Sequence, residues 1–218
     1  MNKHQLSILF RIITALVAWF ALSLQLYILI SNTPGNGMTP WKAVARFFIF
    51  FTILSNLLVA TSLTITLLSP YSKAGRYFSK PSVTASIALY ILIVGLVYNS
   101  ILRNLWLPAG LQRLADELLH VAVPVFYFLF WLFLAPKQGL QFRHAFYWLS
   151  FPAIYIIYAL LRGKLEGFYP YPFIDVNKLG YGTVAINSLG MMLAFIITGS
   201  LLILLAKNIR SSGSGIKN

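Results

Sequence analysis

Six long runs of apolar residues dominate the sequence, and short segments rich in proline, glycine and charged residues separate them. A helix that crosses the hydrocarbon core of a bilayer needs about 20 mostly apolar residues, and each run is about that long. The pattern predicts an all-α membrane protein, a six-transmembrane helix bundle formed by a single domain over residues 1–206, with a disordered polar tail over 207–218. The predicted spans are Leu6–Ile30, Ala43–Leu68, Pro81–Leu102, Leu114–Leu134, Ala145–Leu161 and Thr183–Ala206.

The composition supports a membrane protein and excludes an ordinary soluble domain. Hydrophobic residues make up 59% of the 218 residues and charged residues only 10%, whereas soluble domains carry roughly 25% charged residues. The 17 lysines and arginines far outnumber the 4 acidic residues, but they are scattered between the apolar runs and form no nucleic-acid motif. We therefore expect no nucleic-acid partner. The absence of cysteine excludes disulfides and cysteine-ligated metals.

The charges between the runs indicate an orientation. Because six spans place both termini on one side of the membrane, nine basic residues lie on that side and seven on the other, with Arg11 inside the first span. This small excess favours cytoplasmic termini. All four acidic residues fall on the opposite, outer side and point to a site there: Asp116, Glu117, Glu166 and Asp175.

Two polar residues inside the predicted spans have the chemistry of a catalytic pair. Strongly polar side chains are costly in hydrocarbon, which makes them the first candidates for function. Thr52 lies about 13 Å below the outer end of a helix that begins at Ala43. His120 lies about 9 Å below the outer end of a helix that begins at Leu114. A hydroxyl and an imidazole at comparable depth can act as the nucleophile and the general base of a hydrolase.

Two further residues on the same helix faces extend this site. Asp116 precedes His120 by four residues, so its carboxylate is predicted to hold the imidazole in one tautomer. Asn56 follows Thr52 by four residues and is a candidate oxyanion donor through its amide N–H. The alternative is structural: the threonine hydroxyl bonds its own backbone or a neighbouring helix, and the histidine joins two helices.

The longest connection between spans contains the segment Gly-Phe-Tyr-Pro-Tyr-Pro-Phe-Ile-Asp-Val at positions 167–176. Its X-Pro pairs favour an extended backbone, and its rings suit the headgroup layer of a membrane. The segment is predicted to be either an aromatic interface anchor or a structured lid over a lipid-facing cavity. The residues assigned to the lid are Tyr169, Tyr171, Phe173 and Asp175.

Other catalytic chemistries lack their usual signatures in this sequence. His4 and His144 belong to the side opposite His120, which argues against a haem held by two histidines. The sequence contains no clustered zinc ligands, no Gly-x-Ser-x-Gly elbow and no phosphate-binding glycine loop. It therefore predicts no metal and no cofactor.

Three pieces of the sequence carry a resemblance to a known family. They are Phe-Thr-Ile-Leu-Ser-Asn-Leu-Leu at 51–58, His120 followed by Pro124, and Tyr-Pro-Tyr-Pro-Phe-Ile-Asp-Val at 169–176. Over nearly its whole length the chain resembles the androgen-induced membrane protein family, which includes the androgen-dependent TFPI-regulating protein, and it is more similar to the bacterial six-helix relatives than to the animal members.

The resemblance implies a reaction and a location. Animal members of that family are threonine hydrolases with six helices, which cleave fatty-acid esters of hydroxy fatty acids with one intramembrane threonine and one histidine. These two roles fall on Thr52 and His120. The bacterial relatives imply a place in the inner (plasma) membrane of a bacterium, with both termini cytoplasmic.

There are two hypotheses for the function. The first is an integral membrane hydrolase of lipid carboxylic esters, in which Thr52 attacks the carbonyl, His120 accepts the proton and Asp116 orients the imidazole. A membrane lipid or fatty-acyl ester is then the substrate. The second is a non-catalytic lipid-binding or transport protein, in which the same polar residues bind a headgroup or each other. The sequence does not determine an oligomeric state.

Overall fold

The structure of the protein is a computed structural model that describes residues 2–105 and 107–214, and all regular secondary structure in these residues is helical. Six helices are long and apolar enough to cross a membrane, which confirms the predicted all-α architecture of a multi-pass integral membrane protein. They are α1 (Lys3–Ser31), α2 (Phe51–Leu68), α3 (Pro81–Leu105), α4 (Gly110–Phe133), α5 (Arg143–Glu166) and α6 (Val176–Ile209).

The helices belong to two compact units, a subdivision that the sequence pattern does not indicate. The first unit, Met1–Gly139, contains α1 to α4, and the second, Leu140–Asn218, contains α5 and α6. Small side chains are fully buried on every helix of the first unit, where they allow helix backbones to approach closely. They are Ala18, Ala21, Ala60, Ala85, Ala88 and Ala115. Large apolar side chains such as Leu16 and Phe20 are exposed on the outer face of α1, as expected beside lipid.

The second predicted span is interrupted near its start. The sequence predicts one helix over Ala43–Leu68, whereas the structure has a short helix over Pro40–Phe47, a break of three residues, and α2 beginning at Phe51. Phe47, Ile49 and Phe51 are all buried. On a continuous helix the side chain of Ile49 would point about 200° away from those of Phe47 and Phe51, because each residue turns the helix by about 100°. The break in the helix allows all three side chains to enter the core.

Helices α3 and α4 change geometry where they meet. Residues Tyr98–Leu102 of α3 and Leu118–Ala122 of α4 form π-helical segments. Pro124 accounts for the second segment, because proline has no N–H to donate to a carbonyl one turn earlier. Gly95 permits the close approach: a Cβ atom there would lie 3.2 Å from both the His120 carbonyl oxygen and the Pro124 Cβ.

The last helix is longer than the predicted span. It begins at Val176, is kinked at Gly180, where the backbone is not helical (φ 73°, ψ 161°), and continues to Ser214. The predicted tail over 207–218 is therefore helical as far as Ser214, because backbone hydrogen bonds extend an existing helix at little cost even into a polar segment. Residues 215–218 lie outside the described residues.

We predict that Gly95→Val lowers the stability of the first unit. The added side chain would meet Pro124 and the His120 carbonyl at less than normal contact distance, and overpacking of this kind costs about 1–3 kcal/mol. Gly190→Val in α6 is the matched control, since a Cβ atom there has open space around it. Thermal unfolding in one detergent should show a lower midpoint for Gly95→Val alone. Equal midpoints would mean that the contact between α3 and α4 is not close.

Candidate active site

Thr52 and His120 form a side-chain pair inside the first unit. Thr52 is the second residue of α2, directly after the break in the helix, and His120 lies in the π-helical segment of α4. Thr52 Oγ1 and His120 Nε2 are 3.3 Å apart. The threonine is 7% exposed and the histidine is half-buried. The two side chains that the sequence assigned to catalysis are therefore in direct polar contact.

The contact of the second ring nitrogen of His120 determines which tautomer the neutral imidazole adopts. His120 Nδ1 lies 2.9 Å from the backbone carbonyl oxygen of Asp116, one turn earlier on α4. A carbonyl oxygen only accepts hydrogen bonds, so Nδ1 carries the proton of the neutral imidazole. Nε2 then holds a lone pair that faces the hydroxyl of Thr52. This is the tautomer that a general base requires.

Asp116 orients His120 through its backbone and not through its carboxylate, which corrects the role expected from the spacing. The buried carboxylate accepts a hydrogen bond from Gln112 Nε2 at 3.1 Å, and the Tyr98 hydroxyl lies 3.5 Å from its other oxygen. Gln112 in turn donates to Gln25 of α1 at 2.9 Å. Neutral donors thus hold the carboxylate, and they tie α4 to α1 and α3.

The ring of His120 is also fixed by its neighbours on α3. The Tyr98 ring is stacked on it, with centroids 3.9 Å apart and an angle of 13° between the planes. The Arg103 guanidinium lies 5.5 Å from the centroid of Tyr98 and forms a 2.8 Å ion pair with Glu117. A layered arrangement of cation, phenol and imidazole therefore limits rotation of His120 about its side-chain bonds.

Two asparagines bind the carbonyl groups of α4 that precede Pro124 by one turn. Asn56 Nδ2 donates to the carbonyl of Leu119 at 3.2 Å, and Asn99 Nδ2 donates to the carbonyl of His120 at 3.3 Å. These carbonyls lie five and four residues before the proline, which cannot donate to either. The π-helical turn that carries His120 is therefore held from α2 on one side and from α3 on the other.

The structure gives Asn56 a different role from the oxyanion donor that the sequence suggested. It is completely buried, and its amide nitrogen donates to the Leu119 carbonyl and, at 2.8 Å, to the Thr52 carbonyl on its own helix. Both amide hydrogens are therefore engaged with backbone oxygens. Asn56 links the turn of the nucleophile candidate to the turn of the base candidate, and we assign it a positioning role.

The four residues assigned to the lid lie in the second unit, in a compact segment that precedes α6. The Tyr171 and Phe173 rings are stacked with centroids 5.3 Å apart, and the Phe173 carbonyl accepts a 2.9 Å hydrogen bond from Asn187. Tyr169 packs against Gly163 of α5. Asp175 accepts from the backbone N–H of Asn177 at the start of α6. The segment is thus held in place by α5 and α6, and its role as a lid stays a prediction.

Sequence reasoning missed several residues that shape this site. Tyr98, Asn99 and Gln112 are near the ends of apolar runs, where polar side chains commonly face water, so their position alone did not set them apart. One signal in the sequence could have identified Asn99. Its side-chain amide, like that of Asn56, lies inside a predicted span, where an amide needs a hydrogen-bonding partner on another helix.

Within the part of the chain that the structure describes, histidine and acidic side chains do not gather in groups that could hold a metal ion. Comparisons with protein-family models, with curated proteins and with solved structures found no match to this chain. The functional proposal therefore depends on the geometry of the pair and its supports.

We predict that Asn56→Leu destabilises the first unit even though the new side chain is apolar. It removes the donor to the Leu119 carbonyl, and a lost interhelical hydrogen bond of this kind costs about 1–2 kcal/mol. Thr14→Val is the matched control, because the equally buried Thr14 hydroxyl bonds only to Phe10 on its own helix in the described structure. Unfolding midpoints in the same detergent measure the difference. If both variants behaved like the natural protein, the asparagine would not hold the π-helical turn.

Proposed function

We propose that this protein is an integral membrane hydrolase of lipid carboxylic esters, such as fatty-acid esters of hydroxy fatty acids, with Thr52 as nucleophile and His120 as general base. One observation carries the proposal: Thr52 Oγ1 lies 3.3 Å from His120 Nε2, while the Asp116 carbonyl holds the proton on Nδ1. The proposal places the chain with the androgen-induced membrane protein family that it resembles. It also places the chain in a bacterial inner membrane with both termini cytoplasmic.

The reaction that fits this pair has two stages. In the first, His120 Nε2 takes the hydroxyl proton of Thr52 as the oxygen attacks the ester carbonyl carbon. The tetrahedral intermediate breaks its bond to the alcohol oxygen, which receives the proton from His120 and leaves. In the second stage His120 removes a proton from water, which attacks the acyl-threonine. The bond between the acyl carbon and the Thr52 oxygen breaks, the threonine oxygen receives the proton from His120, and a fatty acid is released.

The position of Thr52 on α2 favours negative charge at the reacting centre. Thr52 lies in the first turn of α2, where the backbone dipoles of the helix give a positive end. An oxyanion formed from an ester bound to the threonine oxygen would lie close to this end, and fixed dipoles stabilise such charge in a site with little water. With the amide of Asn56 engaged elsewhere, the helix dipole is the stronger candidate for this stabilisation.

An apolar acyl chain can reach such a site from the bilayer. The pair lies on two helices that are long and apolar enough to cross the membrane. Exposed Leu96 and Ile101 flank Tyr98 and Asn99 along α3, so apolar surface lies next to the supports of His120. A lipid ester suits these surroundings better than a water-soluble ester would, because its chains stay in an apolar medium.

A non-catalytic lipid-binding protein is the rival function, and a covalent probe separates the two. A long-chain alkyl fluorophosphonate reacts with an activated hydroxyl, which displaces fluoride from phosphorus, but not with an ordinary hydroxyl. We expect labelling of the natural protein and of Thr64→Ala, which removes a hydroxyl elsewhere on α2, and no labelling of Thr52→Ala. Labelling that persists in Thr52→Ala, or its absence from the natural protein, would favour lipid binding without turnover.

We predict a fixed order of activity among three variants. Thr52→Ala and His120→Ala should each reduce kcat/KM by a factor on the order of 10³ or more, because each removes one half of the chemical pair. Asp116→Asn should cost about tenfold or less, since it keeps the backbone carbonyl that orients His120. Turnover of a fatty-acid ester by purified variants in matched detergent measures the order. Thr52→Ser, which restores a hydroxyl, should recover activity relative to Thr52→Ala.

The outcome that contradicts this order is specific. If Asp116→Asn were as inactive as Thr52→Ala while its unfolding midpoint stayed unchanged, the carboxylate would take part directly in the reaction. If Thr52→Ala kept the natural turnover, the threonine mechanism would be wrong.

We predict that hydrolysis increases with pH through the ionisation of His120. The protonated imidazolium has a hydrogen on both nitrogens and no lone pair to accept the proton of Thr52, so the acidic limb of the profile should be inactive. The measurement is kcat/KM against pH over the range in which the protein stays folded. A rate independent of pH across that range would exclude His120 as the base.

A further inference from the structure

A second polar centre lies in the first unit, away from the catalytic pair. A cavity of about 210 Å³ opens at the end of the unit where α1 begins and α2 ends, and Arg11 and Thr66 line it. Thr66 is about 21 Å along α2 from Thr52, at 1.5 Å per residue. The cavity is therefore a separate feature, and a ligand bound in it is independent of the proposed hydrolase activity.

Arg11 is a cation within a membrane-spanning helix and has no carboxylate partner among the described residues. Its Nε donates to the carbonyl of Ser7 at 3.3 Å, and one Nη donates to the carbonyl of Thr66 at 3.4 Å. A guanidinium has five N–H groups, so about three are left for another ligand. An ionised side chain in such a position is costly, and it normally marks a functional contact.

All four acidic side chains of the protein have partners other than Arg11. Glu117, Glu166 and Asp175 form ion pairs with Arg103, Arg162 and Lys178. Asp116, the fourth acid of the chain, is held by Gln112 beside the catalytic pair. No acidic side chain in the described residues therefore balances the charge of Arg11.

The surroundings of the cavity add further positive charge. Ala135 and Pro136 line it, and the next residue, Lys137, is buried and donates to the Ala135 carbonyl at 3.0 Å. Burial, and to a lesser degree the positive charge of Lys3, lowers the pKa of the Lys137 ammonium group to about 8. Neither Arg11 in the lining nor Lys137 beside it has an acidic partner among the described residues, and a bound anion would balance their charge.

The shape and the remaining walls of the cavity restrict the ligand. Leu63, Phe130 and Leu134 form an apolar wall, while Arg11, Tyr127 and five serine or threonine residues form the polar part of the lining. A volume of about 210 Å³ is below the range of roughly 300–1,000 Å³ for sites that enclose a whole small molecule. It suits a compact anionic group with an apolar continuation outside the cavity. The cavity is lined by residues where α1 begins and where α2 and α4 end, and the ends of membrane spans lie near lipid headgroups.

We propose that this cavity binds a phosphate group, with Arg11 as its principal ligand and a phospholipid headgroup as its source. The planar guanidinium matches two phosphate oxygens at once. The apolar wall formed by Leu63, Phe130 and Leu134 suits a lipid, and Lys137, which follows Pro136 of the lining, adds long-range attraction. Inorganic phosphate shares the same chemistry and is the other source to be tested.

The test measures the unfolding midpoint of the full chain in nanodiscs. In phosphatidylcholine, whose phosphate charge is balanced by its own choline cation, the midpoint sets a baseline. Added phosphatidylglycerol, whose phosphate has no such cation, should raise the midpoint as its headgroup binds the folded protein. Arg11→Gln should require at least about tenfold more phosphatidylglycerol for the same rise, because a charge-assisted contact is lost. Arg113→Gln removes the same charge from an exposed site at the other end of the unit and should respond like the natural protein.

Two further arms make the result decisive. Inorganic phosphate added to neutral nanodiscs should give little rise if the source is a lipid, and an Arg11-dependent rise would identify free phosphate as the ligand instead. Thr66→Leu fills the cavity without changing any charge and should abolish the response, which covers the case in which Arg11→Gln folds poorly. If Arg11→Gln and Thr66→Leu both respond to phosphatidylglycerol like the natural protein, the site does not exist.

Discussion

Pro124 is the constraint on which the candidate site depends. A proline within α4 cannot donate a backbone hydrogen bond, and the preceding turn adopts π-helical geometry. Two asparagines on neighbouring helices donate to the carbonyls of this turn, at Leu119 and His120. Each asparagine also binds the carbonyl four residues before it on its own helix. Because Pro124 lacks a backbone N–H, carbonyls of α4 are left to bind asparagines of α2 and α3. These contacts fix how the three helices meet and where the imidazole of His120 lies.

The same arrangement explains why the imidazole has a defined tautomer without a carboxylate next to it. The carbonyl of Asp116 is part of the helix and cannot be protonated, so it keeps Nδ1–H in place at any pH at which the helix is folded. The carboxylate of Asp116 instead joins a polar chain through Gln112 to Gln25. The backbone carbonyl of Asp116 therefore orients the imidazole, whereas its carboxylate connects the helices.

Charge is distributed unevenly along the first unit. Acidic side chains lie near Thr52 and His120 at one end, where they contact glutamine, tyrosine and arginine side chains. At the other end Arg11 and Lys137 donate to backbone carbonyls and have no acidic partner in the described structure. An uncompensated cation is costly in a membrane, so the proposed ligands of the two ends differ: an ester carbonyl at the first and an anion at the second.

The sequence by itself determined the class of the protein and the number of spans, and it singled out Thr52 and His120 as candidates for a catalytic pair. Apolar runs of bilayer length leave few other structures, and His120 is the only histidine within the six predicted spans. Only the tertiary structure decided that α2 begins at Phe51, that a carbonyl and not a carboxylate orients His120, and that Asn56 and Asn99 hold its turn. The physical reason is that residue spacing along the chain defines only which side chains share a helix face. The partner of a hydrogen-bonding group depends on which neighbouring helix comes close. The packing of the helices is set by contacts between residues that are far apart in the chain.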